Sequence, residues 1–265
     1  MSNAFIPRIG GVLSADIAVP EHEREARFYA RVLSTGENPY WRKDLMNNLG
    51  MPVIGLGVRT PAYADLPLQW MPHIQVADVA ASAARAVELG GQELMHGKDG
   101  DGKSQWAVLL DPNGAAFGIV PVVAASAIPS IEAGTTADGK MHVGSIAWLD
   151  LTVANAATTR DFYVQVIGWS AEDVAMKHDG EQYADYNMLA GDGHPLAGVC
   201  HARGMNADVP AVWMLYLPVD DLGESLRLVE EEEGKIIKAT KGRDGDYASA
   251  VVEDPIGVCL ALVSI

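Results

Sequence analysis

Long apolar runs, basic residues and cysteine are all scarce in this chain. No apolar stretch among its 265 residues reaches the ~18 needed for a helix to cross a bilayer, so a membrane role is not expected. Lys and Arg number 19 against 35 Asp and Glu, and the resulting net charge of −16 argues against a nucleic-acid partner, because phosphates demand a basic surface. The same charge disfavours anionic lipid. Two cysteines, Cys200 and Cys259, are too few to suggest a disulfide framework, and a cytoplasmic location is expected. Residues 1–11 lack the charged start and apolar stretch of a secretory signal. Two glycine-rich loops, Gly97 to Gly102 and Gly242 to Asp246, lack the Gly-Lys-Ser/Thr of a phosphate cradle. They also lack the spaced acids and closing Glu of a calcium loop. Lys98 and Lys241, at matching places where these loops begin, read as solvated loop charge, with attraction of an anionic ligand the alternative.

What the chain does have is a repeat. Val12 to Leu33 and Ile146 to Ile167 are each a β-rich stretch, a polar break and a helix carrying Phe-Tyr, at Phe28-Tyr29 and Phe162-Tyr163. Trp70-Met71 and Trp213-Met214 open the second part of each copy. Asp111-Pro112-Asn113-Gly114 returns as Asp254-Pro255-Ile256-Gly257, and the interval of 41 residues from Trp to Asp is the same in both. Pro at the second position and Gly at the fourth suit a type I turn.

The repeat divides the chain into a first domain over 10–123, a linker over 124–140 and a second domain over 141–265. The linker is small, polar and without period. Each domain divides again. Glu21 to Leu33 reads as a helix with its charge outside and Ala26, Tyr29, Ala30 and Leu33 at helical spacing. Asp78, Asn155 and Asp221 stand as N-caps of helices over 79–89, 156–167 and 222–233, the first ending at Gly90-Gly91. The stretch from Phe to Trp is 42 residues in the first copy and 51 in the second. The nine missing residues fall between Leu33 and Gly50, where a hairpin has been lost.

Four strand–helix–strands modules in this order resemble the vicinal oxygen chelate superfamily, which includes glyoxalase I, bleomycin-resistance proteins, fosfomycin-resistance enzymes and extradiol dioxygenases. The carriers are the two Phe-Tyr helices, the Gly90-Gly91 helix end and the two Asp-Pro-x-Gly turns. The run Trp148-Leu149-Asp150-Leu151, with Gly168-Trp169 after the helix, is similar to a tandem-domain glyoxalase-like branch. The resemblance implies an α+β fold: four βαβββ modules forming two tandem glyoxalase/bleomycin-resistance-like domains with cup-shaped mixed sheets.

Enzymes of that superfamily hold a divalent metal at three recurrent strand positions. The positions that match here are Ser14, Met71 and Gly118 in the first domain, and Trp148, Met214 and Ala261 in the second. None is a good ligand for a hard or borderline divalent ion, and a shift by one residue restores no set. No metal and no cofactor are therefore expected. The resemblance instead implies an apolar, aromatic cup. Its candidate lining is Ser14, Trp70, Met71, Trp106, Ala116 and Gly118 in the first domain, and Trp148, Trp213, Met214, Cys259 and Ala261 in the second. Ser14 against Trp148, and Gly118 against Ala261, make the first cup the roomier expectation. His73 shares a strand face with Met71, and Asp16 and Asp150 recur two residues after Ser14 and Trp148. These three are candidates for polar work in the cup, or for structural bonding. His201 and Cys200 are strand neighbours and cannot pair with each other, and His194 falls in an exposed turn.

The leading expectation is a metal-free protein that binds a small apolar or aromatic molecule, with no catalytic residue assigned. The alternatives are a metal-dependent lyase or dioxygenase using non-standard ligands such as His73, Asp16 or Asp150, and an interaction protein with filled cups. A homo-oligomer is compatible with each.

Overall fold

A computed structural model describes residues 7–127 and 143–264. The linker read over 124–140 lies outside the described residues from 128 onward. Before that point there is a single 3-10 turn, Ala125–Ala127.

The first copy runs β1 (Val12–Val19), α1 (His22–Leu33), β2 (Ile54–Val58), β3 (Met71–Val76), α2 (Val79–Glu88), β4 (Gln92–Lys98), β5 (Ser104–Leu110) and β6 (Ala116–Pro121). The second runs β7 (Trp148–Val153), α3 (Ala156–Ile167), β8 (Ser170–His178), β9 (Glu181–Leu189), β10 (Pro195–His201), β11 (Trp213–Val219), α4 (Leu222–Glu231), β12 (Lys235–Lys241), β13 (Tyr247–Glu253) and β14 (Cys259–Ser264). The strands form two mixed sheets, one in the order β2-β1-β3-β6-β5-β4 and the other β12-β13-β14-β11-β7-β10-β9-β8. The hairpin β8–β9 has no counterpart among the described residues of the first copy, which is where nine residues are missing.

Local chemistry sets the helix limits. Asp78, Asn155 and Asp221 accept hydrogen bonds from the N–H groups of Ala81, Thr158 and Glu224, as N-caps do. Gly168 ends α3 with φ +87°, a left-handed conformation that suits glycine. Both Asp-Pro turns close as expected. Gly114 and Gly257 donate to the carbonyls of Asp111 and Asp254, and the two carboxylates accept further backbone N–H groups within the turns. In one respect α1 departs from the sequence reading: its charge is not all outside, because Glu25 is fully buried beside Phe28 and Tyr29.

By packing, the chain makes two compact units that regroup the modules. One contains 7–13, 69–127 and 148–213; the other contains 14–68, 143–147 and 214–264. The core of the first gathers aromatic rings from α3, β6 and β11. Tyr163 meets Phe117, Trp169 and Trp213 at centroid distances of 5.3, 5.8 and 5.1 Å. Trp213 donates its indole N–H to the Tyr163 hydroxyl at 2.9 Å, and that hydroxyl donates to Asp111 at 3.4 Å. Burial pushes the Asp111 carboxyl up, against the lowering by its N–H donors, and pushes the Tyr163 phenol well up.

In the second unit Tyr29 and Asp254 repeat this pair, with the hydroxyl donating at 2.8 Å. A tryptophan closes each unit, from different places in the repeat. Trp169 donates to the Gly10 carbonyl at 2.9 Å, and a Cβ on Gly10 would stand 2.4 Å from its ring. The first copy has Thr35 where the second has Trp169. Trp41 does the corresponding work from the loop that replaces the hairpin. It donates to the Pro218 carbonyl at 2.8 Å, and its ring lies 2.8 Å from where a Cβ on Gly144 would be.

Candidate functional site

The sequence candidates separate by strand alternation, since successive side chains on a strand point to opposite faces. Trp213 stands in line with Leu215 and Leu217 and packs on Tyr163 of α3, fully buried. Trp70 stands in line with Ile74 and Val76 on β3 and is 1% exposed. Both were expected to line a cup; Trp213 belongs instead to a helix-side core, one residue out of phase with Met214, and Trp70 is buried in line with Ile74 and Val76. Met71, Ala116, Met214 and Ala261 are buried as well. Cys259 is half-buried, and burial raises its thiol.

The expected room at Gly118 is also absent. His73 and Gly118 are register partners, and a Cβ on Gly118 would stand 2.5 Å from Cδ2 of the His73 ring. The imidazole fills the space that a side chain would need. Trp106 is 40% exposed and lies over Gly97, its register partner on β4.

The recurrent acids have a structural account. Asp16 pairs with Gly55 and Asp150 with Gly198 on the neighbouring parallel strand. In each case the carboxylate oxygen would stand 2.2 Å from a Cβ on that glycine. A bare glycine is what lets each carboxylate lie over the next strand. Asp16 is exposed there, as part of a strand whose Ser14 is half-buried.

Asp150 is different, because it sits among other polar groups. Trp148 and Asp150 share the inner face of β7, and the indole N–H donates to Asp150 at 2.8 Å. Beside them on β10 is Cys200, whose thiol is pushed up to about 12 by burial and then by the Asp150 and Asp185 charges. It stays protonated and is no nucleophile at neutral pH. Next comes Asp185 on β9, 4% exposed, which fixes His201 twice. It accepts the His201 backbone N–H at 2.8 Å and meets ring Nδ1 at 3.1 Å. A carboxylate only accepts, so Nδ1 carries a proton in this bond, and Nε2 is the ring's other polar atom. The edge of His201 meets Tyr183 at 5.5 Å, and Arg203 lies over Tyr183 at 5.3 Å. This row lies entirely within residues 148–213.

The Asp185–His201 pair was not found in the sequence. Alternation places Asp185 on the Cys200 face and His201 on the opposite one; the strand end bends, and the His201 N–H turns onto the carboxylate. His194 is exposed, as its turn suggested.

The donor set does not fit the superfamily's metal. The six matching positions hold Ser, Met, Gly, Trp, Met and Ala, and among the described residues no three of His, Cys, Asp or Glu converge to hold an ion.

Modules of one strand, one helix and further strands, paired into mixed sheets and repeated in tandem, define a glyoxalase-like protein. Residues 14–120 match the glyoxalase-like domain family, and residues 145–262 match the glyoxalase/bleomycin resistance protein/dioxygenase superfamily. The chain belongs to that superfamily. It is 29% identical over 131 residues to the anthracycline biosynthesis protein DnrV of Streptomyces peucetius, a match covering 45% of this chain and 46% of that protein. The chain thus spans about half the length of the curated relatives it matches. In fold it is similar to a mutant 4-hydroxymandelate synthase from Streptomyces coelicolor, at TM-score 0.55 and 13% identity, over 98% of this chain and 93% of the other. It is likewise similar to 2,2',3-trihydroxybiphenyl 1,2-dioxygenase from Sphingomonas wittichii strain RW1, at TM-score 0.52 and 14% identity, over 98% and 91%. No described helix is long and apolar enough to cross a membrane.

Proposed function

We propose that this chain binds a small aromatic molecule without a metal, on the inner face formed by β7, β9 and β10. The repeated units are the sequence halves 10–123 and 141–265, and the protein works in the cytoplasm. The observation that carries the reading is the row from Trp148 through Asp150 to Asp185–His201. It runs from a half-buried indole along one sheet face to Asp185, which holds the His201 imidazole at the end of β10, in a chain whose metal positions lack donors. Trp148 supplies an apolar plane, and Nε2 of His201 accepts from a ligand hydroxyl. A phenolic ring system combines both features. The same Asp–His arrangement can take up a proton, so slow acid–base turnover of a bound phenol is compatible with it.

Titration with a panel of phenolic and polycyclic aromatics, read by tryptophan fluorescence, tests the reading. Trp148→Phe should remove most of the quenching. His201→Ala should weaken the best phenolic ligand about 5-fold, as loss of one net hydrogen bond of ~1 kcal/mol implies, and should leave its non-hydroxylated analogue unaffected. Elemental analysis of protein never exposed to chelator should find no stoichiometric Mn, Fe, Ni or Zn. Near one equivalent per chain, lost with His73→Ala or Asp150→Ala, would move the assignment to a metal-dependent lyase or dioxygenase.

A further inference from the structure

Helix α1 buries a glutamate where its counterpart buries a threonine. Glu25 is fully buried, and neither carboxyl oxygen makes a hydrogen bond of ordinary geometry. The group it faces is Asp254, itself 2% exposed. Asp254 already accepts from the Tyr29 hydroxyl at 2.8 Å and from the backbone N–H groups of Ile256 and Val258 at 3.1 and 2.8 Å. In the other unit Thr159 stands three residues before the Phe, as Glu25 does, and its hydroxyl meets the Asn113 amide at 3.0 Å. That amide in turn donates to Asp111 at 3.0 Å. Exchanging Thr and Asn for Glu25 and Ile256 replaces a neutral bridge by two carboxyls face to face.

Two ionised carboxylates cannot stably share such a space. We propose that Glu25 and Asp254 hold one proton between them, so that this unit carries a proton-binding site fastening α1 to the Asp254 turn. The proton rests on Glu25 beside Asp254, whose three donors favour its ionised form. Burial and then the Asp254 charge push Glu25 up to about 8; of its other charged neighbours, Arg24 opposes this and Glu21 reinforces it. Tyr29 is the remaining titratable group at the pair. An acid raised in the folded state binds a proton that the unfolded chain has already released. The stability it contributes is full below the usual glutamate range and is lost as pH rises toward 8. The fastening therefore slackens on the alkaline side of neutrality.

Melting temperatures of the full chain from pH 5 to 9, for the wild type and Glu25→Gln, test this. Glutamine keeps a donor toward Asp254 and has no proton to lose. The wild type should lose several degrees more than the variant across that range, and the variant should melt higher at pH 9. Carboxyl 13C NMR of glutamate-labelled wild type should show one group titrating near 8, absent in Glu25→Gln. Identical pH profiles for the two proteins, or all glutamates titrating in their usual range, would overturn the proposal. If Glu25→Gln does not fold, the wild-type carboxyl titration decides alone.

Discussion

Trp213→Ala should lower unfolding stability by about 3–5 kcal/mol, the cost of emptying a large buried aromatic site. The indole is fully buried against Tyr163 and Trp169, at centroid distances of 5.1 and 6.1 Å. Truncation also leaves the Tyr163 hydroxyl without its donor. Trp213→Phe fills most of the volume and should cost much less, chiefly the lost indole N–H. Urea midpoints at constant slope measure both. If Trp213→Ala costs under about 1 kcal/mol, well short of core truncation, and instead abolishes ligand binding, the indole lines a cup after all.

Gly118→Phe is the second large effect, expected to destabilise by about 1–3 kcal/mol or more through overpacking. The ring of His73 stands where the new side chain must go. The double variant Gly118→Phe, His73→Ala should recover part of the loss, because the two positions share one space. Thermal melts of the single and double variants give the coupling. A Gly118→Phe protein that melts like the wild type and fails to bind would restore the open first cup expected from sequence. An unfolded one takes away the binding reading for that cup and leaves the face at 148–213 to carry it.

Much of the fold was legible because duplication prints it twice. Caps at Asp78, Asn155 and Asp221, glycine stops and the Asp-Pro turns are local chemistry, and each formed as its residues dictate. The lost hairpin was legible as a length difference between copies. The site was less so. Trp70 and Trp213 mark aligned positions, but alignment does not say which strand face a residue takes, and both are buried. Asp185–His201 depends on a bend at the end of β10, which no pattern records. Glu25 looked like ordinary helix surface, and it is buried beside Asp254, 229 residues further along the chain.

The packing units carry a consequence for how this protein can be cut. Each unit draws one module from either side of the linker. Tyr29 of the first half needs Asp254 of the second, and Tyr163 of the second needs Asp111 of the first. Severing the linker would therefore yield two fragments with mutually dependent interiors, not two miniature proteins. After duplication, neither copy remained free to be discarded. A single half would leave Tyr29 without Asp254, or Tyr163 without Asp111.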